Sequence, residues 1–442
     1  MAESESIRHT NGKTDDLEKR ENDTPPLRRG ALRALIQDFG PIWCKPYMWL
    51  YMVRAMLIQS VTWCMNSGVL AILTHQCPYQ FPGLEIISTI FFVVDLTLFC
   101  LFSIAFISRF IIFRSQAWQE ITGDQSDLML SACWPIAFLT LTSMTGLTVS
   151  DASWGRHAFT IVSYVMWWIC CIWCLVFLLI VFGVLIDRHE ITVQAGEGVR
   201  GQRLPTMVII PAVSVSTVAV TGGILASYSY EISPRLAVPV MVVSFMMVGI
   251  GILLGLMLSC YLFHALLSFG WPPPPATASV FIFIGPMGQS SAALQALGQA
   301  ARVHRQFGGY DKGTFLTAEA AVPLEAACML VALLLTGLGI LWLCFSLYAM
   351  VYRALRKELR WTPSWNAIIF PTGTLTTATT LFSTEMDSPA WRVITVILII
   401  SLVIVFLNNL VFTIIGIAKG ELLIVREDPR VKKRMQEEQK GR

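Results

Sequence analysis

Two carboxylates interrupt otherwise apolar stretches of this 442-residue chain, Asp95 in FFVVDLTLF and Glu325 in AVPLEAACM. A charge at mid-membrane costs about 2.5–3.5 kcal/mol even on lenient scales, so an acid in such a stretch is a functional candidate by default. Asp95 has no obvious basic partner and is the candidate proton-coupling site. Glu325 lies close to a helix end, where a solvated position is expected. Cys171 and Cys174 form a CxxC inside the aromatic run Trp167–Cys174. Metal or redox chemistry there would need a second ligand pair, and without one they read as small membrane-helix residues. His75, His157, His189, His264 and His304 show neither HxxxH nor HExxH spacing. A membrane-embedded enzyme needs convergent acid–base or metal groups. The chain is therefore not read as an enzyme, and no metal or cofactor is expected.

A second set of polar residues is uncharged. Hydroxyls, glycines and prolines crowd WPIAFLTLTSM, IPAVSVSTVAVTGG, IGPMGQSSA and FPTGTLTTATT. Glycine and proline inside a spanning helix free backbone N–H and C=O groups, which is tolerable only when they are buried in protein or face a water-filled cavity. Such groups around one axis would make a narrow, nearly neutral conduit. The candidate lining residues are Gly68, Thr140, Ser143, Pro211, Ser214, Thr217, Gly222, Gly285, Gly288, Gln289, Ser290, Gly373, Thr374 and Thr377. Small and hydroxylated residues also serve tight helix packing. Recurrence of the pattern on four alternate helices favours a lining.

The elements that must position these groups are ten apolar runs. They fall at roughly 61–76, 84–109, 129–149, 158–186, 205–227, 236–268, 277–301, 320–352, 363–383 and 391–418. About 20 apolar residues rising 1.5 Å each cross a hydrocarbon core of about 30 Å. The composition agrees: 55% hydrophobic and 14% charged, with a mean hydropathy of +0.62, against about 25% charged in soluble domains. The fold expected is an all-α polytopic membrane protein of ten transmembrane helices. The third, fifth, seventh and ninth carry the polar groups, while the bulky aliphatic even helices face lipid.

Charge sets the orientation. With the N-terminus inside, the inner loops carry Arg109, Arg114, Arg188, Arg200, Arg203, Arg353, Arg356, Lys357 and Arg360. The outer loops carry Arg156, Arg235, Arg302, Arg305, Lys312 and Arg392. Both tails are rich in Lys and Arg, which decides for two cytoplasmic termini. Residues 1–40 and 422–442 are expected to be solvated cytoplasmic tails around a transporter domain of 41–421. The first forty residues hold no apolar signal region, so the first helix is expected to direct insertion. A net charge of +3, spread over tails and loops, argues against nucleic acid as a partner. No Arg or Lys lies deep in an odd helix. Anions must then be held by hydroxyls, backbone N–H groups and half-helix N-termini, which is weak, fast binding.

Three segments, CPYQFPGLEIISTIFFVVDLTLF, IFIGPMGQSSAALQALG and FPTGTLTTATTLFSTEMDSP, resemble the tellurite-resistance/dicarboxylate transporter family. That slow-anion-channel-like family includes fungal sulphite efflux pumps, fungal malate permeases and plant slow anion channels, and the likeness is strongest to the sulphite pumps. It extends from Thr62 to Glu421. The resemblance implies five helical hairpins around a central pore lined by the odd helices, often in trimers. It also implies a phenylalanine gate on the ninth helix, and the residue in the matching place is Phe370 before Pro371. The function implied is a plasma-membrane anion transporter, with sulphite efflux first and malate or C4-dicarboxylate permeation as the alternative.

Two departures from the family pattern stand out. Its first helix usually reads Met-Gly-Thr-Gly, where this chain has Met65-Asn66-Ser67-Gly68. Relatives also run almost directly from an aromatic Pro-x-Trp-Phe segment into that motif. Here Pro41-Ile42-Trp43 is separated from it by an insert at 44–61. The insert reads as a retained intron in the gene model, since Cys-Lys can be encoded by a splice-donor sequence. The rival reading is a genuine amphipathic extension of the first helix carrying Lys45 and Arg54.

Overall fold

The computed structural model describes residues 46–112, 114, 115, 118, 125–194 and 205–418. The expected tails at 1–40 and 422–442 lie outside the described residues. Ten principal helices follow one another, and the described residues form no β-sheet. They are α1 Pro46–His75, α2 Leu84–Ile112, α3 Cys133–Met144, α4 Arg156–Gln194 and α5 Ile210–Tyr228. The second half comprises α6 Pro234–Phe269, α7 Ile284–Arg302, α8 Ala318–Leu355, α9 Ile369–Glu385 and α10 Pro389–Ala418. Each expected apolar run coincides with one helix. The largest difference is at α1, whose backbone stays helical from Pro46, through most of the 44–61 insert.

The chain divides into a unit of Leu57–Phe412 and a second of Met1–Met56 with Thr413–Arg442. Of the second, the described residues are the first turns of α1 and the last turns of α10.

Within the larger unit the odd helices are inside and the even ones outside. In the apolar stretches of α2 and α10, 6% and 28% of residues are buried, against 83% in α3 and 100% in α5 and α7. Every residue of α9 from Ile369 to Ser383 is buried. The even helices show Ile104, Leu179, Leu253, Leu334 and Ile404 on their outer faces, all exposed. An apolar mantle of this extent is stable in hydrocarbon and not in water. Eight of the helices are long and apolar enough to cross a membrane by length and composition. α9 is not among them: it is 17 residues long and threonine-rich, a composition that its complete burial in protein permits. α1 is the other helix outside that set. The chain is an all-α, multi-pass membrane protein.

One local device recurs at the start of four odd helices. α5, α7 and α9 are each preceded by a 3₁₀ leader, at Thr206–Ile209, Pro274–Phe283 and Pro363–Ile368. A short helix, Gln125–Leu130, precedes α3. The α-helical part then opens with a proline at its second or third residue: Pro135, Pro211, Pro286 and Pro371. Proline suits a helix start because it needs no N–H partner there. It also marks the break between leader and helix, leaving irregular backbone that must be buried or line a cavity. At its other end α3 runs into a π-helical turn, Thr145–Val149.

Side-chain bonds and close approaches close the odd helices into a ring. Gly68 of α1 lies against Thr140 of α3, where a Cβ would overlap the Thr140 hydroxyl. Ser143 of α3 donates to Thr221 of α5 at 3.1 Å. Ser216 of α5 meets Ser290 of α7 at 3.1 Å, and Gln289 Nε2 donates to Thr217 Oγ1 at 2.9 Å. Gln295 of α7 donates to the Ala378 carbonyl of α9 at 3.3 Å. Gly373 of α9 packs on Val69 of α1, which completes the circuit. Hydroxyl and amide bonds of this kind hold helices together where no hydrophobic drive exists between them.

Candidate functional site

The N-terminal ends of α3 and α5, the leaders of α7 and α9 with the start of α9, and the middle of α1 line one cavity of about 130 Å³. Its wall follows a three-residue spacing along each element. α1 contributes Thr62 and Met65; the α3 segment Leu130, Cys133 and Ile136; the α5 segment Met207, Ile210 and Val213; the α7 leader Ser279 and Ile282. The α9 segment adds Pro363, Ser364, Asn366, Ala367, Phe370 and Pro371. Residues three apart share a face of a helix or a 3₁₀ turn, so each element turns one edge to the cavity. Met65, Ile136, Val213, Ile282 and Phe370 supply apolar wall from α1, α3, α5, the α7 leader and α9, and together they are called the collar. All five are buried. Among the described residues, no Lys, Arg, Asp or Glu lies on the wall.

Of the residues singled out in the sequence, Phe370 is on this wall. The fourteen hydroxyl, amide, glycine and proline positions are on the same helices but not on the wall. Their present engagements run between helices or back to the backbone. Gly222 faces Ser244 and Trp167, Gly288 faces Thr374 and Leu375, and Gly285 faces Val213. Ser214 donates to the Pro211 carbonyl, Thr217 to Val213, Thr374 to Pro371 and Thr377 to Gly373, each at 2.7–3.1 Å. A hydroxyl returning its proton to the preceding turn keeps its oxygen free as an acceptor.

Asp95 reaches inward from α2 and is fully buried between α1 and α3. Its Oδ2 accepts from Thr140 Oγ1 at 2.9 Å, and its Oδ1 has no partner among the described residues. The approach is possible because residue 68 is glycine: a Cβ there would overlap Asp95 Oδ2 as well as Thr140. Asp95 is not on the cavity wall. Glu325 departs from its expected solvated position. It is buried at 6% exposure and pairs with Arg302 at the end of α7. Cys171 and Cys174 are buried thiols on α4, and the adjacent Cys170 Sγ lies 3.6 Å from the Pro135 carbonyl of α3.

At the opposite end of the ring the chemistry is different. Gln299 of α7 donates to Glu385 at the end of α9, beside the Arg302–Glu325 pair. His304 stands edge-on to Tyr228 with ring centroids 5.4 Å apart, and partial burial lowers its basicity below the usual imidazole range. The sequence reading missed Gln299, Arg302 and Glu385 as a group, and it missed Asn366 on the cavity wall. Asn408–Asn409, two amides inside the apolar run of α10, was the one available signal for a buried polar contact there.

An all-helical, multi-pass membrane protein with broken helices closing on an uncharged cavity is of the channel and transporter class. The chain belongs to the voltage-dependent anion channel family, SLAC1, whose model matches residues 56–414. This is the tellurite-resistance/dicarboxylate transporter family indicated by the three sequence segments. The match begins within the 44–61 insert. The sulfite efflux pump SSU1 of Arthroderma benhamiae is 26% identical over 330 residues, covering 75% of this chain and 82% of that protein. The pumps of the same name from Trichophyton rubrum and Arthroderma otae match to the same extent.

Proposed function

We propose that this chain is a plasma-membrane transporter that exports sulphite along the axis of the five-helix ring, with Phe370 as its gate. The observation that carries the reading is the cavity lined by all five odd-helix segments, with Phe370 among its apolar wall residues. Hydrophobic constrictions close a pore by excluding water, and they open by a small movement of side chains. With both termini cytoplasmic, this end of the ring faces the cytoplasm and the cavity is the loading vestibule. Beyond the collar, the hydroxyl-rich faces of α3, α5, α7 and α9 form the path once it opens. Similarity to proteins called sulfite efflux pumps supports sulphite as the substrate. A vestibule of about 130 Å³ without a cation suits a small anion better than a two-headed dicarboxylate such as malate.

The test is export of labelled sulphite, with malate as competitor, from cells lacking their own pump. It is run for the full chain and for the chain without residues 44–61. Sulphite export that malate does not inhibit is the expected result. Malate movement without sulphite would replace the reading by a dicarboxylate permease.

A further inference from the structure

Among the described residues, Asn366 is the one side-chain carboxamide on the cavity wall, one helical turn before Phe370. Its polar atoms have different fates. The backbone carbonyl accepts from Asn66 Nδ2 of α1 at 3.1 Å, which pins the 3₁₀ leader against α1. The side-chain Oδ1 accepts from Asn409 Nδ2 of α10 at 3.1 Å. Nδ2 has no acceptor among the described residues, on a side chain that is 4% exposed and lines the cavity.

The direction of that amide follows from the chemistry of its neighbours. Carboxamide oxygen and nitrogen are distinguished by their hydrogen-bond network and not by shape. Here the network starts from Trp361, whose indole Nε1 can only donate. It meets Asn409 at 3.1 Å, so the atom it meets must be Oδ1. The other branch of Asn409 is then its NH₂, which must meet an oxygen of Asn366. That leaves the NH₂ of Asn366 for the cavity. Reversing either asparagine alone would set two donors or two acceptors face to face.

We propose that Asn366 Nδ2 is an anion-binding donor in the vestibule, taking an acceptor oxygen of a small oxyanion of the sulphite type just before the gate. Trp361 and Asn409 are positioning residues that hold the donor outward. The assignment rests on reading the cavity as the entrance of the transport path. An N–H bond to an anionic oxygen is about twice as strong as one between neutral groups. On a wall without lysine or arginine, it captures a small anion without the tight hold that would slow release.

The experiment measures sulphite transport kinetics and sulphite-induced thermal stabilisation of the purified full chain, at matched surface expression. Asn366→Asp keeps the size and the acceptor for Asn409 but turns an oxygen to the cavity. It should raise KM about tenfold or more, the size of one hydrogen bond to a charged acceptor, and abolish the sulphite-induced shift. Asn409→Asp, away from the wall, supplies only acceptors and so turns the Asn366 NH₂ away from the cavity. It should raise KM in the same direction. Trp361→Phe frees Asn409 to reverse and should give a smaller rise. Loss of packing alone would lower the unfolding temperature without changing KM. Unchanged KM and an unchanged sulphite shift in Asn366→Asp overturn the assignment. If that variant does not reach the surface, unchanged values in both Asn409→Asp and Trp361→Phe overturn it. A wild-type chain that moves neither sulphite, chloride nor malate overturns the transport reading itself, whereas active wild type with unaffected variants overturns only the role of Asn366.

Discussion

The two ends of the helical ring are built from the same five helices and solve opposite problems. At the N-terminal end, prolines break the helices from their leaders and the space between them is walled mostly by apolar side chains, with Asn366 and three hydroxyls among them. At the C-terminal end, α7 is tied to its neighbours by polar pairs, the Arg302 ion pair with Glu325 of α8 and the Gln299 hydrogen bond to Glu385 of α9. An ion pair locks two helices at a defined distance, while an apolar collar resists water and yields to a rotamer change. Under the proposed function, the movable element belongs at the uncharged end and the fixed one at the end held by the Arg302–Glu325 pair.

The largest effect should come from the collar. Phe370→Ala is expected to raise basal anion flux, and lowering the barrier by about 1.4 kcal/mol would be tenfold in rate. Patch-clamp or tracer flux at matched surface expression checks this; flux that is unchanged or lower in a well-folded variant removes Phe370 from the gate. The ring itself is tested at Gly68, where the added methyl of Gly68→Ala must displace Thr140 and Asp95. Overpacking of this kind costs about 1–3 kcal/mol, visible as a lower unfolding temperature in detergent. Normal stability would mean that α1 can move away from α3.

The charged end sharpens the contrast by asymmetry. Removing Arg302 strands the buried Glu325 carboxylate, whereas neutralising Glu325 leaves a solvated guanidinium (the Arg302 side chain is 55% exposed). Arg302→Ala should therefore lower the unfolding midpoint more than Glu325→Gln, and neither should raise basal flux as Phe370→Ala does. A leak from either variant would place a second gate at this end. The smallest effect on turnover is expected from Asp95→Asn. The variant can keep the bond to Thr140 while losing the titratable group, so flux should persist and its pH dependence should disappear. A pH profile that stays as in the wild type would discard Asp95 as the coupling site.

Much of this architecture could be read without coordinates. Each expected apolar run overlaps one principal helix, with α1 starting well before its run, and the division into polar odd helices and aliphatic even ones reappears as inside and outside. Phe370 on the cavity wall follows from family resemblance applied to FPTGT. The lining set behaved differently, because glycine and threonine serve helix contacts and water-facing surfaces alike. Gly68 and Gly288 are engaged in close approach to neighbouring helices, a role their residue type does not reveal. Asn66, which departs from the usual Met-Gly-Thr-Gly pattern, donates to a carbonyl 300 residues away.

Hydropathy is a local property, summed over some 20 neighbouring residues, so the amino-acid sequence by itself determined a multi-pass helical membrane protein and which helices would be inside. Hydrogen-bond partners are not local. The five-segment cavity wall, the Trp361–Asn409–Asn366 relay and the burial of Asp95 behind Gly68 join residues far apart in sequence, and only packing brings them together. Tertiary structure therefore decided which polar atoms were consumed in holding the ring together and which were left to face the cavity.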